Sequence, residues 1–161
     1  MSEQEMPTSM EIAAYGWQSP AWNGFYPDDI PDDWRLDYYA NEFYAVVVPW
    51  AAWRRADDEV LLGWQGQVPD GFLFYWELPP GEEVAGERLQ RLRGGDEFAA
   101  HWGGTLTLSE SLQIERAMEL RPLRAAIEEG RGRGLSLVVV MASAAESLRP
   151  ARDIALLLGG G

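Results

Sequence analysis

The sequence has no cysteine, no lysine and a single histidine, His101. Without cysteine there is no disulfide, no thiolate metal site and no thiol nucleophile. Without lysine there is no Schiff-base chemistry and no lysine general base. One histidine excludes multi-histidine metal centres, and the leading reading involves no metal and no cofactor. No apolar run approaches the ~20 residues that cross a bilayer, so no membrane partner is expected. The first ten residues, MSEQEMPTSM, are acidic and polar rather than basic and then apolar. They read as a disordered start without a signal peptide, which makes the cytoplasm the expected compartment. Residues 11–161 are then one domain, long enough to bury a substantial core.

What is abundant is acid. The formal net charge is −13, and it falls on one half of the chain. Residues 1–83 hold sixteen acids against Arg35, Arg54 and Arg55, whereas the ten acids after residue 83 meet ten arginines. An acidic surface repels phosphate backbones, so nucleic acid is not an expected partner.

Apolar runs alternate with helical spacing. EIAAYGW (11–17), YAVVVPW (44–50), FLFYWEL (72–78) and LSLVVVMAS (135–143) read as strands, the second of them apolar throughout as in a covered parallel sheet. EFAAHWGG (97–104) is read as a further short strand. Between them Leu36, Tyr39, Ala40 and Phe43 recur at helical spacing, as do Val60, Leu61, Trp64 and Val68 behind an N-cap at Asp57. The spacing Thr107-x-x-Glu110 predicts a capping box opening a helix that Pro122 interrupts. Pro150 opens a last helix with Ala151, Ile154, Leu157 and Leu158 on one face. The pattern is an α/β fold with right-handed crossovers and about five parallel strands flanked by helices.

The stretch AAYGWQSPAWNGFYPDDIPDDWRLDYYANEFYAVVV resembles the N-terminal part of the DUF72, or YecE-like, family. It carries Gly16-Trp17, then Trp22 to Pro27, then Leu36 to Ala40 at the family's motif positions. PDGFLFYWELP (69–79) is similar to the family's third strand. HWGGTLTLSESL and the 135–159 segment resemble its seventh and eighth strands and last helix more weakly. The resemblance implies a TIM-like barrel, yet eight βα units need roughly 250 residues. The expectation is therefore an incomplete barrel or open sheet of order 4-5-1-2-3, with the 135–141 strand beside the 11–15 strand. Such an arc leaves edges and a former interior to be covered, either by the 79–134 segment or by a second copy, and a homodimer is expected on the second count.

Barrel chemistry lies at the C-terminal ends of the strands. The resemblance implies polar groups there that this sequence lacks. Its Val-Glu-x-Asn pattern falls on Val46 to Pro49, its lysine after strand three on Glu77, its Gly-x-Ser on Ala13 to Tyr15, and its asparagine pair on Ala142 and Ser143. The remaining catalytic candidates are His101 as a general base and Glu77 as an acid or a ligand for a divalent cation. Trp17, Trp22, Tyr26, Trp50, Trp53 and Trp76 are candidates for an aromatic ligand pocket, with core packing as the competing reading. The expectation is a degenerate, non-catalytic DUF72-like domain acting as a binding or self-assembly module. The alternatives are a metal-assisted hydrolase, or a small-molecule binder, with a rebuilt site at the strand ends.

Overall fold

In a computed structural model the described residues are 10–159. Residues 1–9, most of the segment expected to be disordered, lie outside them, and Met10 is already buried. Six strands form one sheet: β1 (Glu11–Tyr15), β2 (Ala45–Val48), β3 (Leu73–Glu77), β4 (Trp102–Leu106), β5 (Leu112–Ile114) and β6 (Leu137–Val140). Their order is β4-β3-β2-β1-β6-β5, and every pairing is parallel. The 135–141 segment does lie beside β1, with Ile12 opposite Val138.

Two features differ from the sequence expectation. The strand near residue 100 begins at Trp102 and pairs with β3, on the opposite edge from the one expected. The place beside β6 is taken by a sixth strand, β5. Residues Asp96–Ala100 form the short helix α5 instead of a strand, because Phe98 must turn inward to stack on Trp76. Gly103 explains where β4 fits: a Cβ there would lie 2.9 Å from the Phe74 carbonyl oxygen, beside the register shift of the β3–β4 pair.

The edges β4 and β5 are joined by residues 107–111 alone. Across a flat six-stranded sheet the edges would stand about 24 Å apart. The linking residues span at most about 21 Å, less once a 3-10 turn at Leu108–Glu110 shortens them. The sheet therefore curls, and the link crosses its concave side. Leu108 packs there on Ala13, Ala45, Val47 and Val139, whose small side chains leave room for it.

The convex side carries the main core. Ile12, Ala14, Val46, Val48, Phe74, Trp76, Val138 and Val140 point toward the helices, as strand alternation requires. Helix α1 (Arg35–Ala40) is pinned to the sheet by Tyr39. Its hydroxyl donates to the Ala45 carbonyl at 2.5 Å and accepts the Ala14 N–H at 3.0 Å. Behind β2 come α2 (Trp50–Trp53) and α3 (Asp58–Gln65), and behind β3 comes α4 (Glu83–Leu92). Thr107 caps only the 3-10 turn, and its side chain makes no capping bond. The long helix that follows, α6 (Leu120–Gly132), starts later, so Pro122 lies in its first turn, where a missing N–H costs nothing. Helix α7 (Leu148–Gly159) buries Leu148, Ala151, Ile154 and Ala155 but leaves Leu156 and Leu157 outside, which rotates the expected apolar face away from Leu157.

Candidate functional site

The C-terminal ends of the strands meet around Glu77. Its Oε1 accepts the Trp50 backbone N–H at 2.8 Å and the Tyr15 hydroxyl. Its backbone carbonyl accepts the Trp53 indole N–H at 2.9 Å. The carboxylate thus satisfies the first free N–H of α2 and closes β1 onto β3 across β2. Burial first, and then the hydrogen bond to Glu77, push the Tyr15 phenol well above its ordinary range. The phenol is a fixed donor here, not a proton carrier.

His101 is elsewhere. It precedes β4, at the N-terminal end of the sheet, and its Nδ1 lies 2.7 Å from the Phe72 carbonyl oxygen just ahead of β3. That acceptor assigns the proton to Nδ1. Phe72 and Glu77 are separated by the length of β3, about 16 Å at strand rise. The structure does not bring Glu77 and His101 into one site. Among the described residues, no three histidines or carboxylates come together to hold a metal ion.

The six aromatics proposed for a pocket lie at the strand ends and beneath them. Trp17, Trp22, Tyr26, Trp53 and Trp76 are buried, and Trp50 is half-buried. Trp17 meets Trp64 edge-on at 5.0 Å, Trp64 stacks near Trp76, and Trp53 stands edge-on to Trp76 at 5.7 Å. This chain of rings fills the convex core and reaches partial exposure at Trp50. Sequence reading gave no role to Arg35, which is buried under the loop after β1. It donates to the Trp17 and Ser19 carbonyls and to the Asn23 side chain, and its guanidinium lies 4.5 Å over the Tyr26 ring. Its one visible signal is scarcity, as the first basic residue of a very acidic half.

Residues 11–81 match the model of the family described as Protein of unknown function DUF72. The similarity to the DUF72 family therefore covers a little under half of the chain. The matched stretch runs from β1 to the loop after β3, and it ends before His101. No curated protein and no solved structure matches the chain.

The DUF72 resemblance implies polar groups at positions that here read Tyr15, Val47 and Glu77. In this fold those three are neighbours on one layer of the concave face, since Tyr15 pairs with Val47 and Glu77 follows the Tyr75 that also pairs with Val47. A valine fills the middle of the layer, and the outer two bond to each other. Clefts open beside the segments that follow β1, β2 and β3. One, of about 500 Å³, runs between Phe25 of the loop after β1 and Glu146 and Arg149 before and within α7. A second, of about 480 Å³, lies between α2 and α4 and is lined by Trp50, Arg54, Arg55, Glu82, Val84 and Arg88. A third, of about 300 Å³, is cut between the Pro79–Glu83 loop and Thr105–Thr107. No helix among the described residues is long and apolar enough to cross a membrane.

Proposed function

We propose that this domain is a non-catalytic binding module whose recognition surface is the C-terminal face of its sheet. The observation that carries the reading is the use of Glu77. One carboxylate oxygen receives both the Trp50 N–H and the Tyr15 hydroxyl, so the carboxylate left at the strand ends acts as a clip between β1, β3 and the start of α2. His101, at the far end of the sheet, is bonded to backbone. The clefts, by contrast, open at the ends of the strands, where parallel α/β sheets receive ligands.

The test is thermal. Under this reading Mg²⁺, Mn²⁺ or Ca²⁺ at millimolar concentration leaves the melting temperature unchanged, because a ligand that binds only the native state must raise it. Glu77→Gln lowers the melting temperature through lost hydrogen bonding, with or without metal. A metal-dependent rise that Glu77→Gln abolishes would establish the metal-assisted hydrolase instead.

A second reading, self-assembly as a homodimer, is favoured by the concave face. Leu73, Tyr75, Leu137 and Met141 keep partial exposure there despite the cover of Leu108. Light scattering on a sizing column decides it. A mass of twice 18.0 kDa that Leu137→Glu halves supports the dimer, and a concentration-independent monomer removes it.

A further inference from the structure

The cleft between α2 and α4 concentrates positive charge where the chain has almost none. Arg54 and Arg55 are two of only three basic residues among the first eighty-three. Both are exposed, and among the described residues neither forms an ion pair. Arg88, the third guanidinium of the cleft, is committed. It pairs with Asp58 at 2.7 Å, donates to the Trp53 and Ala56 carbonyls, and stands 6.0 Å over the Trp53 ring. It works as a strut that fixes α4 against the α2–α3 turn and sets the width of the cleft.

The wall of the cleft is Trp50. It stands edge-on to Trp53 at 5.1 Å, which holds its plane, and Arg54 lies 6.0 Å from its ring. Trp50 is also the residue whose N–H is held by Glu77, so its position is tied to the strand ends. On the opposite lip Val84 is 81% exposed, an apolar side chain with nothing to cover it.

We propose that this cleft binds a small phosphate monoester bearing a flat ring, of the nucleoside monophosphate class. The inference rests on the reading of this face as a recognition surface and supplies its ligand. Arg54 and Arg55 balance a dianion, and their planar donors suit phosphate oxygens. The ring lies between Trp50 and Val84, which explains an indole and an exposed valine facing one gap. A volume of about 480 Å³ suits a ligand of this size. Acid disfavours the polymer: Glu82 lines the cleft itself, and the first eighty-three residues carry sixteen acids against three arginines, a balance that repels an extended phosphate backbone and tolerates one local dianion.

The experiment is titration of the full chain with AMP, read by calorimetry and by quenching of tryptophan fluorescence, with adenosine and inorganic phosphate as partial ligands. Saturable binding is expected, with adenosine and phosphate each at least about tenfold weaker. Arg54→Ala and Arg55→Ala each weaken AMP binding about tenfold, the effect of one lost charge-assisted contact, and Trp50→Leu abolishes the quenching. The two arginines are exposed, so their removal leaves the melting temperature in place and folding does not confound the result. The inference is overturned if AMP binds no better than adenosine, if the doubly substituted protein binds like the original, or if no saturation is reached at about 10 mM, a concentration at which even millimolar affinity would register. Those failures, with Glu77→Gln behaving as a structural change and metals inert, remove this ligand alone. A metal-dependent rise lost in Glu77→Gln removes the binding module itself.

Discussion

Glu42 and Arg149, 107 residues apart in the chain, share two hydrogen bonds of 2.6 and 3.0 Å. Arg152 adds a third to the same carboxylate at 2.7 Å. The pair joins the end of α1 to the start of α7, and both guanidiniums lie over aromatic rings of the first segment, Phe25 and Phe43. The hydrogen bond from Arg149 is the main reason the Glu42 carboxyl ionises below its ordinary range. Glu42→Gln is expected to cost about 1–2 kcal/mol, a charged network partly screened by water. The folded value is depressed, so this stability is fully present above the ordinary carboxylate range and is lost as pH falls through the lower folded value. Urea midpoints from pH 7 down to pH 3 for the two proteins check it. The gap between them must narrow toward acid.

At the alkaline end the tyrosines govern. Tyr15, Tyr26 and Tyr39 are each raised above the ordinary phenol range, with burial the first cause in all three. Groups raised in the folded state stabilise it below the unfolded value, about 10, and that stability drains away as pH climbs past it. Unfolding followed by circular dichroism between pH 8 and 12 is expected to show a steep loss above pH 10, smaller in Tyr39→Phe. Tyr39→Phe also costs about 1–3 kcal/mol at neutral pH, because the Ala14 N–H and the Ala45 carbonyl lose a partner.

His101→Ala is expected to destabilise by about 1–3 kcal/mol, since the Phe72 carbonyl is left without its donor in the core. It is expected to leave ligand binding at the strand ends unchanged. Parallel melting and AMP titrations separate the two effects. A loss of binding without a loss of stability would return His101 to the site.

Gly16 has a φ of +78°, and a Cβ there would stand 2.9 Å from Cγ of Pro49. Gly16→Ala combines left-handed strain with a clash against a rigid ring and is expected to cost about 2–3 kcal/mol. Gly71→Ala, also at positive φ but with open space around it, pays the strain alone, about 1–2 kcal/mol. Comparing their urea midpoints isolates the contribution of Pro49.

The strands that were legible in the sequence are those whose burial is two-sided. VVV at 46–48 and LVVV at 137–140 have apolar neighbours on both faces, and Phe74 and Trp76 alternate with Leu73 and Tyr75 as a strand demands. β4 was misplaced because Gly103 and Gly104 carry no strand preference. Close approach to Phe74, not propensity, puts them there. β5 is three residues long and owes its existence to the edge of β6. At the site, Glu77 was visible as a residue but not as a clip, because Tyr15 lies 62 positions away. The tryptophans were visible as a group, and only the stacking geometry separates Trp50 from the buried rings.

The pairing of β1 with β6 has a consequence for synthesis. The strand made first has its central neighbour made last, with Glu11 to Ala14 waiting for Leu137 to Val140. A nascent chain halted near residue 100 holds β1, β2 and β3 but offers one side of β1 bare. No order of local events can finish this sheet until Val140 has left the ribosome. Chains stalled before that point are expected to be protease-sensitive and to occupy chaperones, and release of the last strand is the event that ends both.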